Sequence, residues 1–521
     1  MRKPLRAKAG ARQQISALMS LPAPLGGWNA KDALAAMKPT DAVALENWFP
    51  GTSYCEIRGG YAEHVTGLSG ASYKSLLVYN GTSGTSEMFV ATQTGIYDVT
   101  SAGAVGASLL SNSNGRCQWT MFGDGTSNWL ISCNGQNDPA YYDGMTWTAV
   151  NSGSTPALTG VTSNTLIQPL AYKGRLMFVE ELKLSVWYLS AGLAGGALTE
   201  FDMSAEFARG GYLMAIASWT RDSGTGQDDV FVAISSEGEI VCYQGTDPSS
   251  ALAWAKIGTF EVGRPLGRKC ATQYGGDLII LTENGVYALS DALGSATIDH
   301  KEAISYKIEN AFTESARSYS SLTGWKTVLF PARSAMIVNI PTTSRGESYQ
   351  YVMNTITKSW CKFDSWDCYD MVVFNQELYF VTADTVYKAW TGTSDNGDEI
   401  VAYAKTAFNY FGKGTQQKKF NMFRPVLAVN GPLTFLTDID VDFKDTPIIG
   451  LSTYTVTTGA QWDVSNWDES YWASGLEIVK NWTSPNADIG YAAAGKIKVN
   501  TDALTVQWFA CDYVMESGGI L

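Results

Sequence analysis

The chain has 521 residues, which is long enough for two to four domains with a large buried core. The chain has 37 lysines and arginines and 50 aspartates and glutamates, which gives a formal net charge of -13. This acidic balance disfavours sequence-specific binding of nucleic acid. Only two histidines are present, His64 and His300, so the chain has little material for histidine metal sites or for Ser-His and Cys-His catalytic pairs.

The composition favours β-sheets joined by turns. Charged residues make up 17% of the chain, below the usual share of about 25%, whereas glycine, tryptophan, tyrosine and phenylalanine are abundant. The eight cysteines form no C-x-x-C pair, so we expect small, reduced core residues and neither a zinc ribbon nor a disulfide framework. These are Cys55, Cys117, Cys133, Cys242, Cys270, Cys361, Cys368 and Cys511.

Residues 1–25 are predicted to form a flexible basic arm, because arginine and lysine dominate their first half. No apolar run of about 7 to 15 residues follows, as a signal peptide requires, and no stretch of about 18 apolar residues occurs anywhere. The sequence therefore predicts neither a signal peptide nor a membrane-spanning segment. The arm is either a solvated tail or a contact for an acidic partner or nucleic acid.

Residues 26–65 lack the repeat that follows them, and we expect them to contribute to a separate platform. Thr40 or Asp41 can cap a short helix over residues 42–47, which would end before Phe49 and Pro50.

One sequence pattern recurs between residues 66 and 395. It consists of a short β-branched and aromatic run, a glycine or polar turn, and a second short run with tyrosine or tryptophan. This pattern predicts hairpins that begin near residues 87, 128, 174, 229, 276, 335 and 377, at spacings of 41, 46, 55, 47, 59 and 42 residues. A four-stranded propeller blade takes about 40 to 50 residues.

The repeat therefore predicts an all-β fold with a β-propeller of six to eight blades over residues 66–395, whose closed ring protects sheet edges. Two β-sandwiches in tandem are the alternative. The similarity between TGIY at 94–97 and NGVY at 284–287 favours the repeat. A helix is expected within residues 300–317, with Ile304, Ile308, Ala311 and Phe312 on the face that packs against the blades.

Residues 396–521 alternate over longer strands and are predicted to form a β-sandwich-like platform. The N-terminal segment 26–65 would complete it, because a propeller inserted in another domain leaves both chain ends on the same side.

Three aspartates in this region, Asp438, Asp440 and Asp442, alternate along a predicted strand and would share one face. Clustered carboxylates can bind calcium, but Phe443 and Ile449 stand where an EF-hand loop needs glycine and glutamate. We interpret the aspartates as a solvated acidic strand face. No metal site and no cofactor are predicted.

Catalytic signatures are weak throughout the sequence. Residues 142–147 approach a sialidase-type turn but have one residue too few between Asp143 and the following glycine, and nothing singles out a pair of carboxylates. Neither a P-loop nor a G-x-S-x-G elbow is present in the sequence. We predict no catalytic residue and no enzyme activity. A propeller glycoside hydrolase stays open as an alternative without a candidate pair.

The tract 461–472 is both aromatic and acidic, with Trp462, Trp467 and Trp472 in twelve residues. Exposed tryptophans could stack on sugars or anchor a partner protein, whereas buried ones would brace a hairpin. A receptor-binding or glycan-binding tail module that uses this tract is the second functional hypothesis.

The two ends of the chain resemble a known family. Residues 26–50 and 56–64, together with 481–482, 496–500 and 513–519, resemble the ends of tail nozzle proteins, also called tail tubular protein B, of short-tailed bacteriophages (podoviruses). With the propeller-like middle, the resemblance covers most of the chain, although it includes no catalytic signature.

The resemblance implies a structural virion protein that is assembled in the host cytoplasm. In such proteins a homohexameric ring below the portal and adaptor extends the DNA-ejection channel, and it offers an attachment surface for tail fibres or spikes. Genomic DNA would pass through the lumen without sequence recognition, and the acidic balance fits such a channel wall.

Overall fold

The computed structural model describes residues 16–70, 72–82, 84–222, 227–292, 300–412, 414–454, 476–479, 481–483 and 489–518. The chain divides into two compact units. One unit spans Arg58–Asp398, and the other combines Met1–Ile57 with Glu399–Leu521. Among the described residues, no helix is long and apolar enough to cross a membrane.

The unit Arg58–Asp398 is a seven-bladed β-propeller, so the predicted fold class is confirmed. Its blades are antiparallel sheets, numbered 1 to 7 in chain order. Blade 1 contains Ser75–Asn80, Ser86–Ala91 and Ile96–Asp98; blade 2 contains Gln118–Gly123, Asn128–Cys133, Ala140–Tyr142 and Trp147–Ala149; blade 3 contains Leu166–Tyr172, Arg175–Glu180, Ser185–Tyr188 and Thr199–Asp202; blade 4 contains Leu213–Asp222, Gln227–Ser235, Glu239–Gly245 and Trp254–Glu261. Blade 5 contains Ala271–Tyr274, Asp277–Thr282 and Gly285–Ala288; blade 6 contains Lys326–Phe330, Ala335–Pro341, Ser348–Asn354 and Trp360–Phe363; blade 7 contains Asp370–Phe374, Glu377–Val381, Thr385–Ala389 and Tyr61–Thr66.

The blades form a closed ring. The first strand of each blade contacts the first strand of the next, and the first strand of blade 7 contacts that of blade 1. Each predicted hairpin coincides with the second and third strands of one blade. Ring closure excludes the alternative of tandem sandwiches, and hydrophobic clusters shared between neighbouring blades fill the spaces between them.

Blade 7 joins the two ends of the propeller. Its outer strand, Tyr61–Thr66, comes from the start of the unit and pairs antiparallel with Thr385–Ala389. The Tyr61 ring packs edge-on against Phe380 and Tyr387, with ring centroids 5.3 and 4.9 Å apart. The sequence predicts residues 61–65 to lie in the platform segment, because a single strand carries no repeat. The structure places them in the ring.

The short elements outside the blades include the predicted helix. An α-helix spans Glu309–Tyr319, preceded by 3-10 turns at His300–Glu302 and Tyr306–Ile308. Ile308 and Phe312 are fully buried, as the pattern predicted, but the α-helix begins later than expected. The remaining short elements are the turns Ser163–Thr165, Ser204–Glu206 and Pro331–Arg333, the helix Leu289–Ala292, and the strands Gly103–Ala104, Leu158–Thr159 and Gly196–Ala197.

The second unit contains two β-sheets, and both combine strands from before and after the propeller. The first sheet contains Ser16–Pro22, Trp48–Pro50, Cys55–Ile57, Lys418–Val429, Glu477–Ile478, Ile489–Gly490 and Val506–Ser517. The prediction of a flexible arm therefore does not hold for Ser16–Pro22, because this strand pairs antiparallel with Val506–Ser517. The second contains Gly27–Trp28, Asp41–Glu46, Ile400–Thr406, Leu433–Val441, Gly450–Tyr454 and Ala493–Thr501. The amide of Gly495 on the second sheet donates to the Tyr513 hydroxyl on the first at 3.0 Å, so the two sheets are stacked.

The predicted helix over residues 42–47 is wrong. Residues Asp41–Glu46 form a strand that pairs antiparallel with Ile400–Thr406. Asp41 does not cap a helix but accepts a 2.9 Å hydrogen bond from the side chain of Asn29. Burial of Ala42 and Leu45 in the sheet outweighs the local capping signal, because helix propensity is a weak preference that tertiary packing overrides.

All eight cysteines are buried and free, which confirms their interpretation as reduced core residues. Burial raises the pKa of the Cys117 thiol to about 11 and the pKa of Cys242 and Cys270 to about 12. These thiols are therefore protonated at neutral pH and are poor nucleophiles.

Candidate functional site at the propeller axis

The tryptophans predicted as partner or glycan contacts, Trp462, Trp467 and Trp472, lie outside the described residues, as does the whole tract 461–472. The hypothesis that they bind a ligand therefore stays a prediction.

The predicted solvated face at Asp438, Asp440 and Asp442 is wrong. Asp440 is buried in the platform unit between Lys405 and Lys496, whose Nζ atoms lie 2.7 Å from its two carboxylate oxygens. Burial alone would raise the pKa of Asp440, but hydrogen bonds from the two lysines lower it below its ordinary value. Two ammonium groups thus neutralise this carboxylate. Among the described residues, no group of three His, Cys, Asp or Glu side chains could hold a metal ion.

The other two aspartates have separate structural roles. Asp438 is also buried, and its carboxylate accepts a hydrogen bond from the amide of Ile439. Asp442 follows the end of the strand with a positive φ of 49° and accepts bonds from the amides of Tyr491 and Ala492. Alternation in the sequence could not reveal the partners of Asp442, since they lie on a distant segment of the chain.

The structure brings chemically distinctive side chains together at the propeller axis. Three cavities there have volumes of about 550, 210 and 210 Å³. The largest cavity, the axial mouth, shares Tyr73, Arg116 and Thr323 with the second cavity. The second shares Arg268 and Lys269 with the third, so the three form one continuous axial cavity. First strands of blades 2 to 6 contribute to the wall of the third cavity, which places it among the innermost strands.

Side chains of the first strands join neighbouring blades around this cavity. The indole of Trp119 in blade 2 donates to the Leu76 carbonyl in blade 1 at 3.0 Å. The amide of Gln168 in blade 3 both donates to and accepts from the backbone of Ile216 in blade 4, at 2.8 and 2.9 Å. The Thr272 hydroxyl in blade 5 donates to the backbone of blade 6 at 3.0 Å. These bonds hold the axial wall in a fixed arrangement.

A buried charge cluster joins blades 5, 6, 7 and 1. Asp370 begins the first strand of blade 7, and its two carboxylate oxygens lie 2.7 Å from Lys269 Nζ and 2.8 Å from Lys326 Nζ. The Leu76 amide in blade 1 donates to the same carboxylate at 3.1 Å. Burial opposes ionisation of Asp370, but the two ammonium groups outweigh it and lower the pKa of this carboxyl.

The axial wall is positively charged although the chain as a whole is acidic. Its charged residues are Arg116, Arg268, Lys269 and Lys326, and no aspartate or glutamate is among the described residues that line the three cavities. Arg268 pairs with Glu181, with its Nη2 2.5 Å from a carboxylate oxygen. The wall can therefore attract an anion, but it offers no pair of carboxylates for acid–base hydrolysis.

The motifs of the sequence do not predict these axial cations. A short signal does accompany them, since a basic residue follows a glycine by one or two positions where the first strands of blades 2, 5 and 6 begin. These positions are Gly115 and Arg116, Gly267 with Arg268 and Lys269, and Gly324 and Lys326. This signal can be recognised only when the positions of the first strands are known, because the hairpin pattern marks only the second and third strands.

Comparisons with known proteins return structures of low similarity. No protein-family model matches the chain, and no curated protein matches it. The BBS1N chain in complex with ARL6DN is 11% identical with a TM-score of 0.39, and the match covers 65% of this chain and 99% of that one. YCF48 bound to D1 peptide is 10% identical with a TM-score of 0.37, covering 68% and 99%. A quinonprotein alcohol dehydrogenase-like protein from Bacteroides thetaiotaomicron is 10% identical with a TM-score of 0.31, covering 61% and 69%. These values carry no argument about function, and the propeller assignment depends on strand pairing and ring closure.

Proposed function

We propose that this protein is a structural virion component, one subunit of a hexameric tail nozzle that extends the DNA-ejection channel of a short-tailed phage. The observation that carries the proposal is the insertion of the propeller into a platform. Both platform sheets combine strands from before and after Arg58–Asp398, so one β unit is built from the two ends of the chain.

The resemblance to tail nozzle proteins falls largely on that platform. Residues 26–50 contain the strands Gly27–Trp28, Asp41–Glu46 and Trp48–Pro50. At the other end, residues 496–500 lie within Ala493–Thr501 and residues 513–519 overlap Val506–Ser517. In this proposal the platform forms the ring of subunits, and the propeller offers a surface for fibres or spikes.

The charge balance supports passage of DNA without binding. A net charge of -13 disfavours the counterion-releasing contacts between lysine or arginine and phosphate that hold a protein on DNA. A ring of acidic subunits would therefore let the genome slide through its lumen.

Electron microscopy of the purified protein and of intact particles, with no symmetry imposed, tests the proposal. We expect a six-fold ring with an axial channel of about 20 Å or more, wide enough for duplex DNA. Native mass spectrometry of the same preparation should give the mass of a hexamer. A protein that stays monomeric at all concentrations and is missing from the tail would overturn the proposal and favour the receptor-binding hypothesis.

A further inference from the structure

We propose that the axial cavity of the propeller is a binding site for an acidic peptide segment of a partner protein, with a carboxylate of that segment held by Arg116 at the axial mouth. This proposal depends only on the cavity and its charges, and it is independent of the nozzle proposal.

Charge complementarity identifies the ligand as an anion. Four cationic side chains line the three cavities, and the described lining residues include no acidic one. The Asp370 carboxylate lies behind this wall and balances only Lys269 and Lys326, while Glu181 balances only Arg268. The axial wall therefore keeps an excess positive charge that faces the cavity.

Arg116 is the residue in the best position to bind a carboxylate. Its side chain is exposed at the mouth, and within the described part of the chain its guanidinium has no ion-pair partner. Its own backbone amide is fixed by a 3.1 Å bond to the Asn114 side chain, which holds the start of blade 2 in place. A guanidinium presents a planar fork of donors that matches a carboxylate, so the mouth offers a preorganised anion contact.

Neutral polar groups around Arg116 suit a peptide backbone. Gln93, Gln136, Ser321 and Thr323 line the axial mouth, and their side chains have no hydrogen-bond partner among the described residues. Amides and hydroxyls of this kind can donate to and accept from the amide groups of an extended segment. The mouth volume of about 550 Å³ falls in the range of about 300 to 1,000 Å³ that is usual for ligand sites.

The aromatic residues of the cavity favour a peptide over an acidic glycan. Tyr73 is buried and packs edge-on against Tyr369 at 5.8 Å. Trp325 is also buried, and its indole nitrogen donates to the Tyr319 carbonyl. Trp119 uses its indole nitrogen for the bond to Leu76. Of these three residues only Tyr73 lines the axial mouth, and it is buried, so the described mouth offers little aromatic surface on which a sugar could stack.

Binding of an acetylated, amidated hexaglutamate peptide to the full-length protein tests the proposal. The peptide carries a fluorescent label, and its anisotropy is followed in a titration at low ionic strength. We expect saturable binding that weakens at high salt, because screening reduces the attraction. A hexaglutamine peptide of the same length should not bind. We expect the Arg116→Ala variant to bind the acidic peptide about tenfold more weakly, since a charge-assisted contact is lost.

The matched control is Arg333→Ala, which removes an exposed arginine from the turn that follows the first strand of blade 6. It changes the net charge by the same amount and should leave binding unchanged. Both variants should unfold at the temperature of the native protein, since both side chains are exposed.

Three outcomes would overturn the proposal. In the first, hexaglutamate does not bind, or hexaglutamine binds equally well. In the second, both arginine variants weaken binding equally, which would indicate attraction by overall charge. In the third, a hexagalacturonate oligosaccharide binds in an Arg116-dependent manner while the peptide does not, which would assign the cavity to an anionic glycan.

Discussion

A buried ion pair between Arg58 and Asp395 should hold the propeller ring closed. The guanidinium lies 2.7 Å from each carboxylate oxygen, and it also donates to the carbonyl of Asp364 at 2.7 Å. It lies 5.1 Å from the centroid of the Trp366 ring. The two side chains are 0% and 4% exposed, so water cannot replace either partner. Arg58 precedes the outer strand of blade 7 in the sequence, and Asp395 follows its third strand.

We expect Arg58→Met to destabilise the propeller by about 3 to 5 kcal/mol, because it leaves the Asp395 carboxylate buried without its counter-ion. Arg58→Met combined with Asp395→Leu should recover most of this loss, since no unpaired charge is then buried. Recovery should be incomplete because the carbonyl of Asp364 still loses its donor.

Urea unfolding measured by tryptophan fluorescence gives the stability change, and hydrogen exchange localises it. The amides of Tyr61–Thr66 should exchange faster in Arg58→Met than in the native protein, since this strand closes the ring. The control is Arg209→Met, which breaks the half-exposed pair with Glu261 and should cost below about 1 kcal/mol. A loss below about 1 kcal/mol for Arg58→Met as well, with unchanged exchange in this strand, would refute the reasoning.

Three further predictions concern the platform, the cysteines and the tryptophan tract. Because the pKa of Asp440 is lowered in the folded state, its stabilising effect is complete above the ordinary carboxylate range and is lost as the pH falls through the lowered value. Asp440→Asn should therefore reduce the unfolding free energy by about 3 to 5 kcal/mol near pH 7, because Lys496 stays buried without a carboxylate and Lys405 keeps only its pair with the exposed Asp445. Urea unfolding should show this deficit shrink at about pH 2, and a constant deficit would contradict the assignment. A disulfide reagent should titrate essentially no thiol in the native protein and all eight after denaturation, because every cysteine is buried and free; rapid native labelling would contradict this. If the tract 461–472 binds glycan, Trp467→Ala with Trp472→Ala should abolish saturable binding to host envelope polysaccharide in a pull-down, and retained binding would remove the tract from that role.

The repeat architecture could be predicted because its signal is local. Each blade contains a tight hairpin in which β-branched and aromatic runs flank a turn, and the seven hairpins occur at spacings close to the length of a blade. The strand Tyr61–Thr66 does not contain this hairpin pattern. It becomes part of the ring only by pairing with Thr385–Ala389, which lies more than three hundred residues away in the sequence. Long-range strand pairing leaves no trace in local periodicity.

The difference between local sequence signals and long-range contacts also explains why the predictions at Asp41 and Asp440 are wrong. At both positions a polar side chain has a plausible local role, as a helix cap or as part of a solvated face. The structure instead gives Asp41 a partner in Asn29 and gives Asp440 partners in Lys405 and Lys496. The partners of a buried charge can come from any part of the chain, so the sequence alone could not distinguish exposure from neutralised burial.

The positive axial wall shows that the net charge of the chain does not determine the local charge inside the propeller. The first strands of all blades surround one axis, so side chains at equivalent positions near their starts gather in a small volume although they lie tens of residues apart in sequence. Arg116, Arg268, Lys269 and Lys326 each occur near such a start, and together they make the wall of the axial cavity positive. The many carboxylates elsewhere contribute less there, because charges separated by more than about 10 Å across solvent are largely screened at moderate salt. An acidic chain can therefore repel DNA over most of its surface and still bind an acidic peptide at its propeller axis.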